Sequence, residues 1–230
     1  MKNKIKACTS YFSKQEIILW STSAFVIILS YFLFDRQNPL TLLASLIGIT
    51  SLIFNAKANP IGQLLMIIFS IFYGIISYKL SYYGEMITYL GMTMPMACFA
   101  LVAWIRNPYN GNHAEVKVNH LPALEYILMS ILTAVITVLF FFILKYLSTA
   151  NLIVSTISVA TSFSAVYLTF RRSPYYAVGY AANDIVLIIL WLSASTVCIR
   201  YISVTVCFIA FLANDIYGFI NWRQIQIRQS

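Results

Sequence analysis

Eight uninterrupted apolar runs, each about as long as a bilayer is thick, occupy most of the chain. They fall at Ile17–Phe34, Pro39–Ala56, Ile61–Leu80, Met86–Ile105, Ala123–Leu147, Leu152–Phe170, Pro174–Ile199 and Ile202–Ile220. The hydrocarbon core of a membrane is about 30 Å thick, so a spanning helix needs roughly 20 such residues. Lipid offers the backbone no hydrogen-bond partner, which leaves only helices and closed barrels. The runs are continuous rather than alternating, and that pattern selects helices. Composition agrees: 10% of residues are charged, where a soluble domain carries about 25%. The expected fold class is an all-α integral membrane protein with eight transmembrane helices. Lys2, Lys4, Lys6 and Lys14 precede the first run as they would in a signal peptide. No small-residue cleavage site follows, and seven more runs do, so the first run is read as a retained helix.

The formal net charge of +8 invites a nucleic-acid partner, but the placement of the charges excludes it. With the N-terminus inside, cytoplasmic segments hold Lys2, Lys4, Lys6, Lys14, Lys57, Arg106, Lys117, Arg171, Arg172, Arg223 and Arg228. External segments hold Arg36, Lys79, Lys145 and Arg200. This asymmetry is the positive-inside bias, and it puts both termini in the cytoplasm. Cys8 falls in the tail, where thiols stay reduced. Cys98, Cys198 and Cys207 fall in apolar runs and read as small hydrophobes.

One long polar connection, Asn107–Pro122, breaks the series and carries Asn-Pro and Asn-Gly turn signals. The other links are short, so neighbouring helices run antiparallel. The chain also repeats itself. Thr50-Ser51 matches Thr161-Ser162, and Lys57 with Asn59-Pro60 matches Arg171-Arg172 with Ser173-Pro174. Trp104 with Arg106 matches Trp222-Arg223. The expected units are residues 1–38 (tail and an extra N-terminal helix), 39–105 (first three-helix repeat), 106–150 (loop and linker helix), 151–222 (second repeat) and 223–230 (tail). Two parallel three-helix repeats joined by a linker are the 3+1+3 plan of SWEET-type carriers, whose substrate sits at mid-membrane between the repeats.

Ionisable residues inside a span are costly, at least about 2.5–3.5 kcal/mol at the helix centre. Two carboxylates lie clearly inside, Asp184 and Asp215, each following an Asn, with no Lys or Arg beside them. In span seven, Tyr176, Tyr180, Asp184, Leu187 and Trp191 fall on one stripe, with Asn183 beside it. In span eight, Asn214, Gly218 and Asn221 share a face, with Tyr217 adjacent. Such a stripe suits a flat, polar, cationic ligand, since aromatic faces attract cations. The same Asn and Asp residues can also simply join helix to helix, and Asp215 fits either role. The first repeat offers Asn55, Gln63, Tyr73, Thr88 and Thr93. Gly91 and Pro95 are expected to kink span four. Met92, Met94 and Met96 read as packing. Tyr82-Tyr83-Gly84-Glu85 reads as an external turn with a solvated acid. His113 and His120 stand alone in the loop, so no metal site is expected. No catalytic motif or phosphate-binding loop is present, which excludes an enzyme and ATP-driven transport within the chain, and no cofactor is expected.

The ordered set Asn59-Pro60-Ile61-Gly62-Gln63, Tyr73, Tyr82-Tyr83-Gly84-Glu85, Trp104, Thr161-Ser162, Tyr167-Leu168, Arg171-Arg172, Asn183-Asp184, Asn214-Asp215, Gly218 and Trp222 resembles the PnuC family. These are bacterial nicotinamide riboside transporters, also called nicotinamide mononucleotide transporters. The resemblance implies an extra N-terminal helix on a SWEET-like core, assembly as a homotrimer in the inner (cytoplasmic) membrane, and passive uptake. It further implies that a separate cytoplasmic kinase traps the substrate. The family's paired-Trp motif before an Asn or Asp reads here Tyr175-Tyr176-Ala177-Val178-Gly179-Tyr180, and relatives carry thiamine or riboflavin. A mononucleotide's phosphate wants Arg or a helix N-terminus, and no basic residue lies deep in the core. Nicotinamide riboside, a pyridinium cation with a ribose and an amide, suits Tyr faces, amides and a carboxylate. Thiamine fits the same logic, riboflavin less well. The substrate-binding residues expected are Tyr176, Tyr180, Asn183, Asp184, Asn214, Gln63, Tyr73 and Trp191. The mechanism expected is facilitated diffusion by alternating access, with proton-coupled uptake through Asp184 or Asp215 as the rival.

Overall fold

The computed structural model describes residues 11–230; Lys2, Lys4, Lys6 and Cys8 lie outside the described residues. Among the described residues nine α-helices follow in order: α1 (Lys14–Phe34), α2 (Pro39–Ala56), α3 (Ile61–Lys79), α4 (Tyr83–Ile87), α5 (Met94–Ile105), α6 (Ala123–Tyr146), α7 (Leu152–Phe170), α8 (Tyr176–Ser195) and α9 (Ile202–Gln229). A π-helical stretch, Thr88–Thr93, fuses α4 to α5, and a 3-10 turn, Ile199–Tyr201, leads into α9. Among the described residues eight helical segments are long and apolar enough to cross a membrane. Their bounds follow the apolar runs to within a few residues, except that α9 continues through the stretch expected to be a separate C-terminal tail. Cys198 falls in the link before the 3-10 turn rather than in a helix.

Small hydroxyl residues inside the spans return their protons to their own helices. Ser45, Ser70, Thr133 and Thr169 donate to the carbonyls four residues back, at 2.8 Å in each case. This satisfies a polar group where no water can. Helix α9 is central, packing on α8, α2 and α1, while α5 packs on α3 and α7. Helix α6 packs on α7 and buries only Phe140 and Leu144. Its Ile127, Ile131, Val135, Val138 and Phe142 are exposed apolar groups.

The even number of crossings between them places Tyr11 and Ser230 at one end of the bundle, here the terminal end. The opposite end is the far end. At the terminal end, two helices finish the same way. Ala58 (φ 54°) and Arg172 (φ 59°) adopt the left-handed conformation. The amides of Ala58 and Asn59 reach back to the carbonyls of Asn55 and Phe54, and those of Arg172 and Ser173 to Thr169 and Leu168. These are helix-ending bonds that satisfy orphan carbonyls, and Pro60 and Pro174 then forbid the helix to continue. The two ends are also cross-linked. Trp104 Nε1 donates to the Thr169 carbonyl at 2.9 Å, and Trp222 Nε1 donates to the Asn55 carbonyl at 2.7 Å.

The long polar connection folds on its Asn-Gly turn: Pro108–Tyr109 and Asn112–Val116 form a small antiparallel hairpin. Asn110 and Gly111 both take positive φ at its tip, as a tight two-residue hairpin turn demands. The stretch then closes the terminal end, Val116 donating to the Ala58 carbonyl and Asn119 to the Arg172 carbonyl. One expectation is corrected: Glu85 is buried, at 1% exposure, rather than solvated.

Span four, expected to kink at Gly91 and Pro95, carries a π-helical stretch there. It widens into the π-helical turn, where Met94 donates to Tyr89, five residues back. Pro95 has no N–H to give the carbonyl four residues before it, and a wider turn absorbs the mismatch.

Candidate functional site

The interior is layered. At the far end lies an aromatic cluster. Tyr73 and Tyr89 rings are 4.4 Å apart, Tyr82 and Trp191 4.6 Å, and Tyr201 edges onto Trp191 at 5.7 Å. Trp191 Nε1 donates to the Tyr73 hydroxyl at 2.7 Å. At the terminal end lies a second cluster: Trp104 and Trp222 at 5.4 Å, Tyr176 and Trp222 at 4.9 Å, Tyr176 and Tyr180 at 6.1 Å. Polar side chains, almost all buried, lie along the helices between these clusters.

Asn183 on α8 is the best-held member of that set. Its Oδ1 accepts from Thr161 at 2.9 Å, Ser162 at 2.9 Å and Ser158 at 3.3 Å, all on α7. Three hydroxyls fix which end of the amide faces α7, and they leave the amide nitrogen free to donate. The carboxyl groups of Asp184 and Asp215 lie near each other across α8 and α9, with Asp184 Oδ2 buried and unpartnered. Gln63 on α3 donates to Asn55 Oδ1 at 2.8 Å, while its own Oε1 is unpartnered. Asn214 donates to Ser23 of α1 at 3.0 Å, and its Oδ1 is likewise unpartnered. Three of the eight expected site residues therefore carry buried oxygens with nothing to bind.

The structure brings Tyr176 against Gly218 of α9, where a Cβ at Gly218 would stand 3.3 Å from the Tyr176 hydroxyl, and Asp184 near Asp215, while Asn183 faces α7. Tyr180 lies beside Tyr176 and is half-buried. Tyr73 and Trp191 belong to the far-end cluster, and Gln63 pairs within its own half of the molecule. Asn214 turns toward α1, and its expected face-mates turn elsewhere: Asn221 donates to the Ala56 carbonyl at 2.7 Å and Tyr217 to Glu16 at 3.1 Å. Glu16 is a buried acid that the apolar runs do not reveal. Ser13 and Glu16 cap α1 reciprocally, a pairing that Ser-x-x-Glu announces. Lys57 then neutralises Glu16 at 3.3 Å and lies 4.7 Å from the Tyr11 ring centre. Burial pushes the Tyr11 phenol up. Close by, burial and the neighbouring Arg171 hold the Arg172 guanidinium below its ordinary value. The clearest residue missed is Glu85, taken up below.

A helical bundle in lipid that holds a polar layer shut between two aromatic clusters is built as a membrane transporter. A family profile described as nicotinamide mononucleotide transporter matches residues 38–224, and the chain belongs to that family. A curated relative, the nicotinamide riboside transporter PnuC of Neisseria mucosa, is 26% identical over 208 residues, covering 86% of this chain and 77% of the relative. Among solved structures, a crystal structure of the vitamin B3 transporter PnuC matches with a TM-score of 0.83. It is 22% identical and covers 95% of this chain and 94% of its own. That likeness establishes the fold.

Proposed function

We propose that this chain takes up nicotinamide riboside across the bacterial cytoplasmic membrane by facilitated diffusion. The observation that carries the reading is the set of unpartnered buried acceptors, Gln63 Oε1, Asp184 Oδ2 and Asn214 Oδ1. An unsatisfied buried polar atom costs about 1–3 kcal/mol, so a ligand bringing donors is favoured there. Ribose hydroxyls and a carboxamide bring donors. The pyridinium brings a positive charge, which Asp184 and the Tyr176 and Tyr180 rings attract. The free amide nitrogen of Asn183 suits the ligand's carboxamide oxygen. A phosphate would meet acceptors and carboxyls instead of the donors it needs, which favours the riboside over its mononucleotide.

The relative's name and the family profile support the same substrate class. The reciprocal Trp104–Thr169 and Trp222–Asn55 bonds support a 3+1+3 reading, in which residues 39–105 and 152–222 rock about α6 to expose the site to each side alternately. The charge asymmetry supports cytoplasmic termini. The bare apolar face of α6 is suited to a homotrimer contact, and a cytoplasmic kinase would trap what enters.

The test is calorimetry on purified protein with nicotinamide riboside, its mononucleotide, thiamine and riboflavin. Asn183→Ala or Tyr180→Ala is expected to weaken riboside binding at least tenfold in a chain that still folds. Unchanged affinity removes those residues from the site, and preference for another vitamin reassigns the substrate. The nearness of Asp184 to Asp215 favours one second reading, proton-coupled uptake. Liposome uptake that ignores an imposed pH gradient excludes it.

A further inference from the structure

Glu85 sits at the start of the α4–π–α5 span and is buried among the core residues, at 1% exposure. Both carboxyl oxygens are buried without a hydrogen bond. The Ser158 hydroxyl faces it from α7 but is also directed to Asn183 Oδ1. No basic side chain comes near: the three ion pairs among the described residues involve Glu16, Glu125 and Glu115. Glu85 is close enough for its charge to act on the phenols of Tyr73 and Tyr89. These rings lie 4.4 Å apart in the far-end cluster, and Tyr89 is in turn within reach of Asp184 and Tyr180. An acid, two aromatic faces and a serine that also meets Asn183 are thus neighbours in the interior. An isolated buried carboxyl is costly, and a membrane protein that keeps one marks a pathway by default.

We propose that Glu85 is a charge-selecting residue of the substrate path, receiving the positive charge of an aromatic organic cation at the far end of the polar layer. The inference deepens the transport reading and rests on it for the route. Glu85 is the far-end member of a pair of acidic stations, Asp184 with Asp215 being the inner one. A cation passing Tyr73 and Tyr89 gains both ring faces and a carboxylate, while a neutral molecule of the same shape gains only the faces. Selectivity therefore comes from what a neutral competitor leaves unpaired.

The experiment measures binding to the purified full chain and to Glu85→Gln, which keeps size and hydrogen-bonding capacity but removes the charge. The ligands are nicotinamide riboside and thiamine, both cations, and dihydronicotinamide riboside and riboflavin, both neutral. Thermal melting without ligand checks that the variant is folded. Expected is a loss of at least tenfold for whichever cation the wild type binds, with neutral ligands changed less than twofold and Glu85→Asp recovering part of the loss. Equal losses for cations and neutral compounds, or no loss for a cation, overturn the proposal. Wild-type binding of thiamine but not nicotinamide riboside sinks the substrate reading alone, because Glu85 is then judged on thiamine. A wild type that binds no cation overturns both.

Discussion

The two ends of the bundle are both closed by aromatic rings, yet they are held by different bonds. At the terminal end, Trp104 and Trp222 are anchored to backbone carbonyls of the opposite half. The hairpin stretch donates to both left-handed turns, and Glu16–Lys57 and Arg171–Glu125 tie helices together. At the far end, the closing bond is Trp191 to the Tyr73 hydroxyl, side chain to side chain, and among the described residues no ion pair lies there. A backbone carbonyl at a helix end cannot move without the helix, whereas a phenol can swing about its own torsions. The far end is therefore expected to part with less disruption than the terminal end.

Four measurements break or sharpen that contrast. The largest effect is expected from Trp222→Ala, which empties a fully buried site and frees the Asn55 carbonyl. Truncations of this kind cost about 3–5 kcal/mol, read as a large fall in melting temperature in detergent; Trp191→Ala should cost less, and equality would erase the asymmetry. Next, Lys57→Met leaves Glu16 buried without its cation. The lysine is partly exposed, so the cost should fall to about 1–3 kcal/mol, below the 3–5 of a fully buried pair. Glu16→Gln in the same background should recover much of it. Third, Trp191→Phe removes one hydrogen bond, worth about 1 kcal/mol. Its sharper signature is kinetic: the buried Cys207 thiol behind the far-end cluster should react faster with a small maleimide, and an unchanged rate would count against a far-end gate. The smallest effect is expected from Gly111→Ala. Nothing lies within 4 Å of the added methyl, so only the φ of +77° opposes it. About 1 kcal/mol is the most this should cost, with substrate affinity unchanged.

Much of this was legible in the chain. The apolar runs mark the spans because lipid leaves the backbone no alternative to helix. The stripe Tyr176–Asp184–Leu187–Trp191 is buried because intervals of three and four share a face. Periodicity names a face but not its partner, which is why Asn214 proves to meet α1 through Ser23 rather than the stripe on α8. The hairpin was legible in Asn110-Gly111, a strong two-residue turn signal, and was obscured by the polarity around it. Glu85 was not legible. It follows Tyr-Tyr-Gly in what reads as a turn, and its burial depends on Ser158, which packs there from more than seventy residues away. Glu16 lay one residue before an apolar run, and its partner Lys57 is set by the fold.

The π-helical stretch gives the Glu85 segment a phase of its own. Six residues there occupy a wider turn than α-helix allows, so α4 and α5 are offset in rotation about their common axis. Winding the same six residues as ordinary α-helix would swing α4 by about 100° relative to α5. The carboxyl would then face acyl chains or a neighbouring helix while Trp104 kept its place. The wider winding of these six residues thus decides whether this span presents an acid to the interior at all.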